Sequence, residues 1–334
     1  MDTAHSHTSL PCGAVLAAGL GTRLRPLTDL CPKPLVPVCG VPLLEYALDA
    51  LAELGIADIG VNLFHLADQI PTALAHRTER LRLVTETTLA GTGGGLRGIA
   101  AVLPRATVVC CNGDALFDFD LSAALEHHRR TGAMATLVLR RPRPEEPFGR
   151  VAVDGKGQLQ RIAEVRGLDP DRDDLTYGVY TGVQIVEPEL VDALPPVGEC
   201  DVLRTAYARR LLEGARITAH FVPDDALWVD VGTPERLLAA QRAVLGLKSH
   251  ARLPPQVDPG VFVAPDAQLG HGVRLEGPCV VLAGARIGDG AHLGANVVVE
   301  RGAGVAAGAW VEDTLVWRGA CARGRVTSQI VLPD

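Results

Sequence analysis

Three groups of residues carry the types and spacing that phosphate chemistry requires. Ala17-Ala18-Gly19-Leu20-Gly21-Thr22-Arg23 follows an apolar run directly. Glycines at such a point let backbone N–H groups turn toward an anion, whose charge Arg23 would share. Downstream, Lys33 stands between Pro32 and Pro34. Prolines on both sides fix the backbone, which suits an ammonium that must be in place before its ligand arrives. Lysine is scarce in this arginine-rich chain, occurring only at positions 33, 156 and 248, so a compact point charge is wanted at this one. Asp114 closes one apolar run and Asp230 lies in another, after Trp228 and Val229. Either carboxylate alone reads as a turn cap, whereas two beside a triphosphate match what magnesium takes, one or two carboxylates with phosphate oxygens and water. The glycine loop is neither a dinucleotide fingerprint, because Leu24 occupies the last glycine position, nor a Walker loop, because no Gly-Lys-Ser/Thr follows.

The elements that must hold these residues fall into two segments of different pattern. From Cys12 to Leu247, short apolar runs alternate with helical stretches, the pattern of an α/β domain with a doubly wound, mostly parallel sheet. Strands are predicted over 13–18, 59–63, 81–85, 107–111 and 135–140, and a helix over 43–54 that stops at Gly55. Ligands of such a sheet sit at the carboxyl ends of its strands. A polar tail over 1–11, a catalytic domain over 12–247 and a linker over 248–256 complete the first part of the chain. Beyond the linker, Val257, Val263, Leu269, Leu275, Val281, Ile287, Leu293, Val299, Val305, Val311 and Trp317 recur every six residues, a run with a chance probability of about 10⁻³. Small residues such as Ala285, Ala291, Ala303 and Ala309 follow four positions after the repeat residues. Residues 257–334 therefore resemble the left-handed parallel β-helix of hexapeptide-repeat proteins.

Gly-x-Gly-Thr-Arg followed by Pro-Lys-Pro, with Asn112-Gly113-Asp114 and Trp228-Val229-Asp230-Val231-Gly232-Thr233, resembles the sugar-1-phosphate nucleotidyltransferase family across the whole first segment. GDP-mannose pyrophosphorylases and muramic-acid-1-phosphate uridylyltransferases are the members it looks most like, and the former commonly carry a hexad domain. The resemblance implies Arg23, Lys33 and Asp114 as catalytic residues and Mg²⁺ held by Asp114 and Asp230. It implies nucleotide contacts from Ala17, Ala18, Gly19, Gly21, Thr22, Glu86, Gly91, Thr92 and Asn112. Sugar-phosphate contacts would come from Gly149, Glu164, Arg166 and Gly182, with Arg166 standing where the family has a lysine. The expected reaction joins an NTP to a sugar 1-phosphate with loss of pyrophosphate. The stretch Glu86–Gly95 resembles the base-binding loop, and a carboxylate there suits the two adjacent donors of guanine. GTP with a mannose 1-phosphate-like acceptor is therefore favoured over UTP with an amino-sugar 1-phosphate such as N-acetylmuramic acid 1-phosphate.

Two other classes compete. The β-helix could carry an acyltransferase centred on His271 or His292, each expected to be exposed, or the chain could be a non-catalytic sugar-nucleotide sensor. A net charge of −7 excludes nucleic acid as a general partner. No long uncharged apolar run predicts a membrane span. No signal-peptide pattern precedes the first strand, and the eight cysteines show no zinc spacing and read as buried small hydrophobes, so a cytoplasmic location is expected. A homo-oligomer through the β-helix is a further expectation.

Overall fold

A computed structural model describes residues 10–247 and 253–334. Residues 1–9 of the expected tail and 248–252 of the expected linker lie outside the described residues. The chain divides into two compact units, the first built from the residues up to Gly21, Pro26–Leu35 and Leu44–Trp228, the second from Thr22–Arg25, Val36–Leu43 and Val229–Asp334. Two short segments flanking Lys33 thus belong with the C-terminal unit. Segments so far apart in sequence could not have been grouped by composition.

The first unit is organised by a ten-stranded mixed sheet. Its strands are β1 (Cys12–Leu16), β2 (Asp58–Leu63), β3 (Arg80–Thr85), β4 (Val108–Asn112), β5 (Ala135–Arg140), β6 (Val151–Val153), β7 (Leu159–Ile162), β8 (Val165–Arg166), β9 (Thr176–Val186) and β10 (Ile217–Phe221). The spatial order is β8-β7-β6-β9-β4-β1-β2-β3, with β5 paired to both β9 and β10. β3, β2, β1 and β4 run parallel, whereas β9 runs antiparallel to β4, β5 and β6. Strands β1 and β4 are buried along most of their length and read as continuous apolar runs, as parallel strands covered on both faces do. The predicted strands agree with the observed ones to within two residues at their ends. The predicted helix is observed over Leu43–Glu53 (α1), with Leu43, Leu44, Ala47, Leu48 and Leu51 all buried. Its end is closed by bonds from the Gly55 and Ile56 N–H groups to the carbonyls of Ala52 and Leu51.

In the second unit the hexads form three parallel sheets. Val261–Val263, Cys279–Val281, Val297–Val299, Leu315–Val316 and Ile330–Val331 stack in one; strands starting at Gln268, Arg286, Gly304 and Cys321 form the second; strands starting at Arg274, His292, Trp310 and Arg325 form the third. These are the coils of a left-handed β-helix. Repeat residues from Val281 to Trp317 are fully buried, but Val257 and Leu269 are exposed and Leu275 is half-buried. The reason is position, because the first-coil strands of the second and third sheets stack on a neighbour from one side only. Val257 lies in an antiparallel strand, Gln256–Asp258, that pairs with the start of the first coil.

Candidate active site

Because β1 to β4 run in one direction, the polypeptide leaving each of them emerges at the same edge of the sheet. A cavity of about 210 Å³ opens there. Leu16, Ala17, Ala18 and Gly19 come from the end of β1, Asn62 from β2, Glu86 from just past β3, and Asn112 and Asp114 from the end of β4, with Lys33, Pro34, Leu89, Gly91 and Thr92 completing the wall. Such a place, beside the strand where the order reverses, is where open α/β sheets bind ligands.

A hydrogen-bonded chain ties three of those strand ends together. The Ala17 N–H donates to Asn62 Oδ1 at 2.7 Å. Asn62 Nδ2 donates to Glu86 Oε1 at 2.7 Å, and the Ala90 N–H donates to Glu86 Oε2 at 2.9 Å. Glu86 therefore holds the loop that follows it, and each carboxylate oxygen keeps a lone pair for a ligand. Asn62 went unnoticed in the sequence. A polar residue near the end of the apolar, buried part of a strand was the available signal, because after Asp58 β2 reads Ile-Gly-Val-Asn-Leu.

The stretch expected to be a base-binding loop is a loop only as far as Ala90. Gly91–Ala100 is a helix, α2, and its glycines answer to packing. A Cβ on Gly91 would stand 2.5 Å from the Cys200 carbonyl oxygen, and one on Gly95 would stand 2.4 Å from Asn62 Nδ2. The N–H of Gly93 donates to the same Cys200 carbonyl at 2.8 Å. Part of the helix N-terminus is thus already satisfied. Thr92 Oγ1 accepts from the Val202 N–H at 3.0 Å, so the residue braces the same loop from the cavity wall.

Lys33 begins a short 3-10 turn, Lys33–Leu35, and is buried, 5% exposed. Its Nζ donates to Asp114 Oδ2 at 2.7 Å. The carboxylate is half-open, its side chain 39% exposed against 7% for the lysine. Gly21 lies behind the lysine stem in the left-handed region, φ +64°, where a Cβ would meet Lys33 Cβ at 2.9 Å and Thr28 Cγ2 at 2.8 Å. The buried Thr28 hydroxyl donates to the Gly21 carbonyl at 3.0 Å. Gly21 thus serves by packing behind the lysine, and it is absent from the cavity wall.

In the second unit, Arg23 and Thr22 are exposed on a short 3-10 turn. Asp230 ends the strand Leu227–Asp230 and is ion-paired with Arg236. The Arg23 guanidinium and the Asp230 carboxylate both lie 3.1 Å from where a Cβ on Gly232 would stand, so that glycine lets the two groups approach it. Thr233 caps the helix Pro234–Leu245, its hydroxyl accepting from the Arg236 N–H, with Pro234 in the first turn.

The expected sugar-phosphate residues are absent from the cavity wall. Glu164 is paired with Arg204 at 2.9 and 3.1 Å, and that hydrogen bond, more than any other influence, holds its carboxyl below the usual range. Arg166 Nη1 donates to the carbonyls of Ala163 and Val165. Gly149 faces open space, whereas Gly182, φ +85°, packs on Asn112, with a Cβ there 2.9 Å from Asn112 Nδ2. Gly182 thereby supports a cavity residue from behind.

On the β-helix, His271 is exposed, as expected, while His292 is not. Its ring stacks on Trp310 with centroids 3.9 Å apart, and Nε2 lies 3.1 Å from Glu276 Oε1, off the line of a hydrogen bond. A histidine so covered is poorly placed to accept a proton from an incoming substrate. The cysteines are unpaired and all are buried but Cys321, and burial pushes the Cys110 thiol up to about 12. No group of three or more metal-ligating side chains is found among the described residues. No helix among them is long and apolar enough to cross a membrane.

A cavity at the carboxyl edge of parallel strands, with a buried lysine pre-set against a carboxylate in its wall, suits an enzyme that moves nucleotidyl groups by positioning. Residues 12–246 match the family model described as nucleotidyl transferase, and the chain belongs to that family. Among its relatives is a UTP–glucose-1-phosphate uridylyltransferase of Synechocystis sp., 31% identical over 80% of this chain and 72% of the relative. A mannose-1-phosphate guanylyltransferase of Mycobacterium tuberculosis is also 31% identical, over 81% of this chain and 80% of its own length. A mannose-1-phosphate guanyltransferase of Hypocrea jecorina is 27% identical over 96% of this chain and 91% of its own. The chain is a sugar-1-phosphate nucleotidylyltransferase with a β-helix at its C-terminus, and enzymes of this family generally use a divalent metal.

Proposed function

We propose that this enzyme transfers the guanylyl group of GTP to mannose 1-phosphate or a close analogue, with Mg²⁺ as the metal. The observation that carries the reading is the buried Lys33 ammonium held against Asp114 in the wall of the strand-end cavity. A sugar 1-phosphate is itself an anionic nucleophile, so no side chain needs to be activated. Its phosphate oxygen attacks the α-phosphorus, a new P–O bond forms, the bond to the β-phosphate oxygen breaks, and pyrophosphate leaves. The barrier is the meeting of anions. Lys33 lowers it by neutralising charge on the α-phosphate and the departing pyrophosphate, and Arg23 is assigned to the same task on its motif.

Asp114 fits a magnesium site, since its carboxylate is half-open at the cavity while sharing one oxygen with Lys33. Asp230 is assigned as the second carboxylate on its motif. When bound, the metal would supply further charge neutralisation on the phosphates. GTP is favoured by the guanylyltransferase relative that aligns with about four-fifths of both chains and by the acceptor-only carboxylate of Glu86 in the cavity wall. The Synechocystis relative makes UTP the second reading.

For the acceptor, Glu164 and Arg166 remain assigned by motif. A grid of GTP and UTP against mannose, glucose and N-acetylmuramic acid 1-phosphates, followed by pyrophosphate release with Mg²⁺, tests all of this. The highest kcat/KM is expected for GTP with mannose 1-phosphate. A preference for UTP overturns the base, and acetyl-CoA consumption without pyrophosphate overturns the transferase reading. Released pyrophosphate without a sugar nucleotide would overturn it as well.

A further inference from the structure

The β-helix makes an interaction for which nucleotidyl transfer as such has no need. Immediately after Lys33-Pro34-Leu35 the chain forms a two-residue hairpin, Pro37–Val38 against Val41–Pro42, with Cys39 and Gly40 at its tip. Both tip residues have positive φ, +48° for Cys39 and +81° for Gly40, the requirement of a tight turn whose twist matches its strands. For Cys39, which has a side chain and is buried, that conformation persists only where the surroundings over-determine it.

Two buried polar residues of the same unit provide that constraint. Gln241, on the helix Pro234–Leu245, accepts from the Cys39 N–H at 2.5 Å and donates from Nε2 to the Pro37 carbonyl at 3.0 Å. Glu300, at the end of the β-helix strand Val297–Val299, accepts from the Gly40 N–H at 3.1 Å. Gly40 also lies against Leu282 of the β-helix, so closely that a Cβ would stand 2.5 Å from Leu282 Cδ1. Glu300 is 4% exposed, and burial pushes its carboxyl up to about 7 despite the opposing influence of Gly40, Arg301 and Arg318. A carboxylate is costly to keep there. Plain packing would have been met by an apolar residue.

We propose that the β-helix is a positioning element of the transfer site, in which Glu300, with Gln241, fixes the Cys39-Gly40 hairpin and so the point from which the Lys33 turn departs. Pro37, the first residue held in this way, is joined through Val36, Leu35 and Pro34 to Lys33, and the Val36 carbonyl accepts from the Leu43 N–H at 3.1 Å. Three residues, two of them in a 3-10 turn begun by the lysine itself, leave little slack between anchor and ammonium. The inference rests on Lys33 acting in nucleotidyl transfer. Glu300 is a positioning residue and touches no substrate.

The test is a double-mutant cycle on the full chain. Glu300→Leu removes the acceptor at similar volume, Glu300→Gln restores an oxygen able to accept from Gly40, and each is made with Lys33 and with Lys33→Ala. Initial rates of pyrophosphate release are normalised to protein shown to be folded by circular dichroism. Expected is a fall in kcat of about 10- to 100-fold for Glu300→Leu, recovery to within about threefold for Glu300→Gln, and no further loss for Glu300→Leu in the Lys33→Ala background. An unchanged kcat for folded Glu300→Leu overturns the inference, as does an equal loss in both backgrounds. If Glu300→Leu does not fold, Gln241→Leu takes its place, with the same expected and overturning outcomes. Wild-type protein inactive across the grid would sink the function itself; active wild type with an indifferent Glu300 would sink only this inference.

Discussion

Asn62 offers the sharpest test of how the cavity is built. Its side chain is nearly enclosed, and it joins the Ala17 N–H to the Glu86 carboxylate through two bonds of 2.7 Å. Asn62→Leu keeps the volume and removes both bonds. The Ala17 N–H, buried with no other acceptor offered by the leucine, costs about 1–3 kcal/mol, and the lost bond to a charged acceptor about 1.5–3 kcal/mol. Part of the second cost is recovered as Glu86 turns toward water at the cavity mouth, leaving a loss of about 3 kcal/mol. For a unit of this size that is a fall in Tm of about 6–12 °C. The β1 loop and the Glu86 loop lose their common brace, so KM for the nucleotide should rise about tenfold, an affinity loss of about 1.4 kcal/mol, with KM for the sugar phosphate little changed. Differential scanning fluorimetry and initial-rate kinetics in each substrate read the two effects. A variant within 2 °C of the wild-type Tm by that assay, with unaltered nucleotide KM, would refute the account. Asn62→Asp sharpens the test. It keeps the acceptor for Ala17 but sets two carboxylates together, so nucleotide binding should weaken further as pH rises.

Other outcomes follow from neighbouring contacts. Lys33→Ala and Asp114→Asn should each lower turnover by about 10²–10³-fold, and near-normal pyrophosphate release from either folded variant would remove that residue from its role. Lys33→Arg should fail to restore activity, because Gly21 lies close behind the stem and the planar fork cannot mimic a point charge; recovery above a tenth of wild-type kcat in the same assay would contradict this. Gly95→Ala, which helix propensity alone would make stabilising by about 1 kcal/mol, should instead destabilise by about 1–3 kcal/mol, since the new Cβ meets Asn62 at 2.4 Å; urea titration gives the sign. For Glu300, the folded carboxyl near 7 lies above its ordinary 4.5, so folding takes up a proton between those values. Wild-type stability is therefore expected to decline as pH rises from about 4.5 to 7, by up to about 3 kcal/mol, and then level off. Glu300→Gln lacks that decline, and urea titrations from pH 5 to 8 that showed parallel curves for the two proteins would exclude it.

Much of this enzyme could be read without coordinates, because the informative patterns are local. Period-six spacing dictates stacked coils wherever they lie in space, and short apolar runs separated by helical stretches dictate a wound sheet. Prolines on both sides of Lys33 restrict its backbone whatever surrounds it. The glycines of α2 were legible as glycines but not in purpose, since what they avoid, the Cys200 carbonyl and Asn62, lies far away in the chain. The exposed Val257 and Leu269 fit the hexad pattern as well as their buried counterparts, and only the end of the stack distinguishes them.

Sequence by itself determined the two segment types, through residue type and short-range spacing, and its motifs pointed to the class of chemistry and to the lysine and carboxylates proposed to carry it. Tertiary structure alone decided that Lys33 meets Asp114, that Asn62 joins two strand ends, that Glu164 is engaged by Arg204, and that Glu300 holds a hairpin 260 residues earlier. Those contacts depend on strand order and coil register, which fix distances between residues that no local pattern relates.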